Sequence, residues 1–519
     1  MWILDVKIEE TLENQIMSTK WNNFKSEERI LLINYFLIFI IFALNFLGSP
    51  FLKYTFAAYA LFTLISVLFL DLSVSIKIIL TFCFLEGQGR ILWEYNPIFR
   101  LAFDGILGVA MIKSWTQSNK NPNKIQLPKI MRIFILLHFL WYVVEIFNIN
   151  SVSMMGHLAA TKLYVFPFLL LMLFLANKKT FSLENLKSIG TIIIVLFVSE
   201  GLLTLFQLQQ GEGLLLKITP YYENAFKGGV FIMEKFRPFA TTHLPGAISV
   251  YLFLSIGLLF LREKFSKKYF GIVGIVIALS ILVLLICQVR SATLKFIFQV
   301  VLSLGAIFFT SSNKLGSFLK ISLIMAIAVP LLIYQIAKFD LNSNASFINL
   351  APSISRWDNV NSYEGLKARR AGLIEAFNIA VSKLDAFPIG IGPGMTGAAS
   401  SFSAEQILND PVYTRKNFWG FDNFYLSMIV EFGYGCIFYL LFIFSIPVYL
   451  FKYFRTLYRD KHVYEARIIL ICITQIFIIL LGNWWAIGLN YNPESFFFWF
   501  WTAIGFSTYA LKKEKLEDQ

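Results

Sequence analysis

The sequence predicts an all-α, polytopic membrane protein with about fourteen transmembrane helices and one large helical loop outside the membrane. Of the 519 residues, 57% are hydrophobic and only 15% are charged, whereas a soluble domain carries about 25% charged residues. Apolar stretches long enough to cross a bilayer recur along the chain. The charged residues fall in short clusters between these stretches, as they do in the loops that set membrane topology.

The third and fourth apolar stretches are the weakest, because they carry Lys77, Glu86 and Asp104. A tilted or re-entrant course is the alternative for these two. The predicted spans lie at roughly 30–47, 54–70, 73–87, 98–113, 131–147, 161–178, 188–208, 245–262, 269–288, 292–310, 318–336, 423–451, 467–486 and 494–511.

Lysine and arginine are concentrated in alternate loops, which predicts the orientation of the chain. If residue 1 lies in the cytoplasm, the basic clusters all fall in cytoplasmic segments, and the short outer loops are poorer in lysine and arginine. Both termini are then cytoplasmic. The basic clusters fall at 113–129, 178–179, 262–268, 314, 452–461 and 512–515.

This topology divides the chain into five parts. Residues 1–29 form a polar cytoplasmic segment, and residues 30–336 form the first eleven spans. Residues 337–422 form a large extracytoplasmic loop, residues 423–511 form the last three spans, and residues 512–519 form a cytoplasmic tail.

The large loop has the pattern of an ordered lid. Residues 362–385 are predicted to form an amphipathic helix, with an apolar face that includes Phe377, Val381 and Leu384. A glycine-rich run from Pro388 to Gly394 follows and predicts a tight turn. No strand–turn–helix pattern surrounds the run, so it does not indicate a nucleotide site.

Several classes of function are disfavoured. The net charge of +13 suggests nucleic acid, but the basic residues lie in topology loops and do not form a stripe on a soluble domain. The four cysteines all fall inside apolar runs, so no disulfide framework or zinc spacing is available. The four histidines are scattered, and we expect neither a metal nor a cofactor.

Two arginines at predicted outer ends of spans are candidates for an anion site. Arg290 lies between two spans, and Lys295 follows it inside the next apolar run. Arg237 precedes the eighth span, with His243 close behind. A guanidinium group pairs two phosphate oxygens at once, so these residues favour a shared polyanion site. A snorkelling or structural arginine is the alternative.

Other candidates lie in and after the large loop. Arg356 and Trp357 together suit a phosphate and the face of a sugar. Asp422 and Asn423 open the twelfth span. Asp422 is a candidate general base, although helix capping is an equal alternative. Glu431, nine residues later, points to the opposite face of that helix.

These features together resemble the O-antigen polymerase and O-antigen ligase family, over roughly residues 230–451. The resemblance rests on Arg237-Pro238, on Arg290-Ser291-Ala292, and on the Pro-x-Gly-x-Gly turn of the long outer loop. It rests also on Asp422-Asn423 followed after nine residues by Gly433. Ligases of this family typically have histidine where this chain has Asp422, and the departure is compatible with the polymerase branch.

The resemblance implies a GT-C-like membrane fold and metal-independent glycosyl transfer at the outer face of the bacterial cytoplasmic membrane. The donor is expected to be a glycan on undecaprenyl diphosphate, held by Arg237 and Arg290. Asp422, or failing it His243, is expected to activate the acceptor hydroxyl. Lys295, Asn423, Arg356 and Trp357 are expected to contact substrate. Membrane lipid and a chain-length regulator are the expected partners, with no nucleic acid.

Two alternatives remain open. A ligase has the same donor but transfers the glycan to a lipid A core. A transporter without catalysis is favoured by ionisable groups in predicted spans, namely Asp104, Glu145 and Glu200. The chain shows no internal repeat, which weakens a transporter built from duplicated halves.

Overall fold

A computed structural model describes residues 26–94, 102–118, 124–151, 154–223, 231–232, 235–242, 247–262, 265–287, 290–310, 377–378, 380–396, 423–484, 489 and 493–517. These residues are mostly helical, and two short strands, β1 (Phe231–Ile232) and β2 (Lys235–Phe236), pair antiparallel.

Sixteen α-helices are numbered in chain order within the described ranges. The first eight are α1 Ser26–Leu47, α2 Leu52–Phe69, α3 Leu72–Leu92, α4 Ala102–Ser118, α5 Lys129–Ile146, α6 Met154–Tyr164, α7 Phe166–Leu175 and α8 Leu183–Gln210. The others are α9 Glu212–Ile218, α10 Ala247–Ser255, α11 Lys267–Cys287, α12 Arg290–Thr310, α13 Phe424–Phe432, α14 Cys436–Arg459, α15 Val463–Gly482 and α16 Glu494–Glu517. Three 3₁₀ segments are Lys178–Phe181, Ile256–Phe260 and Gly433–Gly435.

Within the described ranges, nine helical segments are long and apolar enough to cross a membrane. The protein is therefore a multi-pass membrane protein by length and composition. Four further predicted spans match α4, α5, α10 with its 3₁₀ extension, and α16. These four are shorter or less apolar than the nine or, in the case of α5, carry three charged residues. The predicted span 318–336 lies outside the described residues, so the count of fourteen stays a prediction. The nine segments are Glu27–Leu47, Leu52–Phe69, Leu72–Leu92, Gly156–Leu175, Leu183–Gln210, Lys268–Cys287, Ala292–Thr310, Phe424–Arg459 and Val463–Gly482.

α3 is the most enclosed of these helices. It corresponds to one of the two weakest predicted spans, yet 94% of its most apolar window is buried inside the protein. Its polar side chains bind neighbouring helices: Gln88 accepts from Asn45 at 3.0 Å, and Lys77 donates to Asn185 at 2.8 Å. A helix surrounded by protein tolerates polar residues that a lipid-facing helix does not, because each finds a partner.

The predicted span 423–451 is wrong as a single crossing. The rings of Phe424 and Tyr439 lie 5.9 Å apart, and those of Tyr425 and Phe444 lie 5.8 Å apart. A continuous helix would separate residues 425 and 444 by about 28 Å. α13 therefore folds back along α14, and the chain reverses at Gly433, whose φ is +54°. Of this pair, α14 alone has the length of a span.

The two ends of the bundle are distinguished by contacts between helices. α1 and α3 run in the same direction, because Asn34 donates to Thr81 at 3.4 Å and Asn45 donates to Gln88 at 3.0 Å. We call the end at which α1 and α3 begin the lower end, and the opposite end the upper end.

Both described chain ends lie at the lower end. Lys77, near the start of α3, binds Asn185 at the start of α8. Lys178, just before α8, pairs with Glu514 near the end of α16 at 2.7 Å. The first helix therefore begins, and the last helix finishes, on one side of the bundle. α16 begins at the upper end, where α8 and α11 finish.

Candidate functional site

Arg237 lies at the upper end, against the last residue of α11. Its Nε and Nη2 atoms both donate to the carbonyl oxygen of Cys287, at 2.9 and 2.5 Å. Arg290 begins α12 three residues after Cys287. The backbone therefore places the start of α12, which Arg290 occupies, close to Arg237, as a shared anion site requires. The side chain of Arg290 lies outside what the structure describes.

The segment after Arg237 is fixed to α8 by two buried polar side chains. Gln207 accepts from the backbone N–H groups of Phe239 and Ala240, at 3.2 and 2.8 Å, and donates to the carbonyl oxygen of Ala240 at 3.0 Å. Glu200 accepts from both the backbone N–H and the hydroxyl of Thr241. These bonds hold the stretch that carries Arg237 in one place.

Lys295 forms an ion pair that the sequence did not predict. Its Nζ lies 3.3 Å from Oε1 of Glu494, the first residue of α16. The same ammonium group lies 4.8 Å from the centre of the Phe253 ring. It passes Gly482 so closely that a Cβ there would come within 2.4 Å of Nζ. Three helices, α10, α15 and α16, thus surround this lysine of α12.

Asn423 is the N-cap of α13. Its Oδ1 accepts from the backbone N–H of Leu426 at 3.0 Å, and its Nδ2 donates to the carbonyl oxygen of Trp484 at 2.9 Å. The sequence allows a capping role for Asp422, but the N-cap of α13 is its neighbour Asn423. Because Gly482 contacts Lys295, Asn423 and Lys295 both reach the end of α15.

Two further ion pairs lie beside the first turn of α16. In α3, Oε1 of Glu86 lies 2.5 Å from Nε of Arg90, and Asp104 of α4 pairs with Lys162 of α6. In the sequence, Glu86 and Asp104 weaken two predicted spans, and Asp104 also counts among the ionisable groups that favour a transporter. Their signal was a carboxylate within an apolar stretch, which often marks a functional region. Ring contacts place α3 and α4 next to α16: Phe84–Phe497 at 6.2 Å and Phe103–Phe496 at 6.0 Å.

Glu431 organises a separate region of the upper end. Its Oε1 accepts from the backbone N–H and the hydroxyl of Thr396, at 2.7 and 2.9 Å, and its Oε2 accepts from the hydroxyl of Tyr164 at 2.8 Å. Residues 388–396, which we call the glycine turn, are thereby attached to α13 and α6. Sequence reasoning missed this role, because Thr396 and Tyr164 are distant from Glu431 in the chain.

The prediction of a tight turn at 388–394 is confirmed by the backbone. Gly390, Gly392 and Gly394 have φ values of +92°, +99° and +82°, which residues other than glycine rarely adopt. The turn docks on the α13–α14 reversal, since Tyr434 N–H donates to the carbonyl oxygen of Pro388 at 2.9 Å. Asn148 donates to the carbonyl oxygen of Gly390 at 3.0 Å.

The remaining predicted features have mixed outcomes. His243, Arg356, Trp357 and Asp422 lie outside the described residues. The end of the predicted amphipathic helix is helical at 380–386. However, Phe377 and Val381 of its predicted apolar face are exposed. Instead Ala380 is buried against Ile391, Met395, Leu426 and Val430, because the glycine turn and α13 pack on that side.

The carboxylates that favoured a transporter each have a partner within the protein. Asp104 pairs with Lys162, and Glu200 binds Thr241. Glu145 accepts from Asn148 at 2.6 Å. Within the described ranges, His, Cys, Asp and Glu do not gather in groups of three or more that suit a metal ion.

The sequence matches no protein-family model, and a comparison with characterised proteins finds no significant relative.

Proposed function

We propose that the protein is a membrane glycosyltransferase that polymerises undecaprenyl-diphosphate-linked oligosaccharide repeat units, as for O-antigen, capsule or exopolysaccharide. The observation that carries the proposal is the contact of the Arg237 guanidinium with the end of α11. The helix that follows, α12, begins with Arg290 and carries Lys295 five residues later. Cations gathered at one end of a membrane bundle suit a lipid that carries a diphosphate. A GT-C-like fold is part of the same proposal.

The distribution of basic residues supports an orientation in which the lower end is cytoplasmic. Cytoplasmic loops are enriched in lysine and arginine, and basic residues collect at that end. The reaction would then take place at the outer face of the bacterial cytoplasmic membrane, with both termini inside. Basic residues whose side-chain contacts lie at the lower end include Lys113, Lys178, Arg262, Arg459 and Lys512.

The chemistry of the donor suits preorganised guanidinium groups. As the bond between the sugar and the diphosphate breaks, negative charge accumulates on the leaving phosphate oxygen. Arg237 is held by a backbone carbonyl, so it needs little reorganisation to receive that charge. The acceptor hydroxyl must lose a proton, and the sequence-based candidate for its base is Asp422, adjacent to the capping residue Asn423. Neither a metal nor a cofactor enters this scheme.

A test replaces Arg237 in a strain that lacks the chromosomal gene and measures the surface glycans by gel electrophoresis. Arg237→Ala should reduce the long-chain ladder at least about tenfold, with single capped units remaining. Arg237→Lys should also be impaired, because a point charge does not reproduce the planar fork. Immunoblots of membranes must show equal protein levels.

Arg459→Ala is the matched control, since Arg459 is a highly exposed arginine at the lower end, paired with its neighbour Asp460. It should leave the ladder intact. A normal ladder from both Arg237→Ala and Arg290→Ala would remove the proposal. Long chains that accumulate on the carrier lipid in the deletion strain would indicate a ligase, and unchanged glycans in that strain would favour a transporter.

A further inference from the structure

Glu494 is a buried carboxylate at the upper end that is only half satisfied. The residue is 7% exposed, and its Oε1 faces Lys295 at 3.3 Å. Its Oε2 is buried and has no hydrogen-bond partner among the described residues. Buried polar atoms are normally paired, because an unpaired one costs free energy. An oxygen left in this state at a charged site points to a ligand.

The partner of Glu494 is held in position by its surroundings. The ammonium group of Lys295 lies over the Phe253 ring and passes Gly482, where any Cβ would displace it. Glycine at position 482 therefore leaves the space through which Lys295 reaches Glu494.

Among the described residues, two more carboxylates near the first turn of α16 each have a cationic partner. Glu86 binds Arg90 within α3, and Asp104 binds Lys162 across α4 and α6. Among these three carboxylates, Glu494 has the longest contact with its cation, and its second oxygen has no partner among the described residues.

We propose that Glu494 is the base that takes the proton from the acceptor hydroxyl, with Lys295 as its positioning residue. This inference rests on the proposed glycosyl transfer. The acceptor oxygen attacks the anomeric carbon of the donor sugar, and its proton passes to Oε2 of Glu494. The bond between that carbon and the diphosphate oxygen breaks, and its electron pair leaves on the phosphate. The products are the new glycosidic bond, undecaprenyl diphosphate and a protonated Glu494, which then releases its proton to water.

The experiment measures the rate of polymer formation by the full-length protein in proteoliposomes, as a function of pH. The substrate is the lipid-linked single unit extracted from the deletion strain. Glu494→Gln should reduce kcat at least about 100-fold with little change in KM. A carboxylate base acts only when it is deprotonated, so the wild-type rate should fall at acidic pH. The residual rate of Glu494→Gln should not fall in this way.

Two further variants separate chemistry from structure. Gly482→Ala should lower kcat while leaving the carboxylate in place, because the added methyl group occupies the position of Lys295 Nζ. Glu465→Gln is the matched control: Glu465 lies on α15 at the lower end and also faces a lysine, Lys512, at 4.0 Å. This control should keep the wild-type rate and pH profile.

The outcomes distinguish this inference from the proposed function. Normal kcat and an unchanged pH profile in Glu494→Gln, with Arg237→Ala still inactive, would overturn Glu494 as base and leave the glycosyltransferase in place. Glu494 would also be overturned as base if the fall in rate at acidic pH disappeared in Asp422→Asn but persisted in Glu494→Gln. If Glu494→Gln fails to fold and the Lys295→Met/Glu494→Gln double variant recovers both fold and activity, the pair is structural and the inference is wrong.

Discussion

Two buried glutamates at the upper end, Glu431 and Glu494, are held in different ways. Glu431 accepts three hydrogen bonds, two from Thr396 and one from Tyr164, and both of its oxygens are used. Glu494 has one lysine at 3.3 Å, and its second oxygen has no partner among the described residues. A carboxylate whose oxygens are all bound is an anchor, and one with a spare oxygen is available for chemistry.

The regions around the two glutamates differ in the same way. Around Glu431, backbone binds backbone: Ile391 N–H donates to the carbonyl oxygen of Val430, and Gly392 N–H to that of Glu431, at 3.0 and 3.1 Å. Around Glu494, charged side chains from separate helices meet. We therefore expect substitutions in the first region to reduce stability, and substitutions in the second to reduce the reaction while the fold survives.

The largest effect on stability is expected for Gly390→Ala. A Cβ at this position would lie 2.2 Å from the carbonyl oxygen of Glu431, and the φ of +92° is unfavourable for alanine. Both the backbone strain and the clash with backbone should cost more than about 3 kcal/mol together. Thermal unfolding in detergent and the amount of protein in membranes measure this loss.

Gly271→Ala in α11 is the control for that substitution, because a Cβ at Gly271 meets no atom within 4 Å. Its stability should be unchanged or slightly raised, since alanine favours the helix. Equal unfolding temperatures for the two variants would show that the glycine turn does not hold the upper end together.

A smaller effect is expected for Glu431→Gln. The amide keeps one oxygen that can accept a hydrogen bond, but its NH₂ group replaces the other oxygen. The donor on that side, either Tyr164 or Thr396, then loses its acceptor. This should cost about 1–3 kcal/mol. The double variant with Tyr164→Phe should recover part of the loss, as a double-mutant cycle in the unfolding temperature will measure. Additive losses in that cycle would contradict the anchor role.

The smallest effect is expected for Asn423. Asn423→Ala removes the cap of α13 and should cost about 1 kcal/mol. Asn423→Asp keeps the capping oxygen but loses the donor to the Trp484 carbonyl, so it should lie between wild type and alanine. If Asn423→Asp is as stable as wild type but makes less polymer, Asn423 belongs with the reactive region and not with the scaffold.

Hydropathy located most of the helices, but it did not reveal the direction of the chain. The stretch 423–451 is apolar throughout, and a window average does not register the reversal at Gly433. For α3, hydropathy gives too weak a prediction of a span. Residues such as Lys77 and Gln88 lower its mean hydropathy, but they bind partners inside the protein. Apolarity measures transfer into lipid, and α3 is surrounded by protein.

The candidate site was predictable in part. Arg237 and Arg290 stood out because topology does not favour arginine at an outer end. The Lys295–Glu494 pair was not visible, because its members are 199 residues apart and Glu494 resembles a residue at the start of an ordinary helix. The Arg237 contact with Cys287 involves a backbone carbonyl, which leaves no trace in residue identity.

The length of α14 sets the depth at which the chain reverses. Its 24 residues extend about 36 Å, which exceeds the hydrocarbon thickness of about 30 Å. With its last turn at one boundary, its first turn and the Gly433–Gly435 reversal stand in the headgroup layer, where Tyr434 and Trp141 suit an aromatic belt. Under the proposed function, the phosphates of the donor lipid would lie in this same layer. We would then expect the donor to reach the upper end by lateral diffusion within the leaflet and not by entry from water.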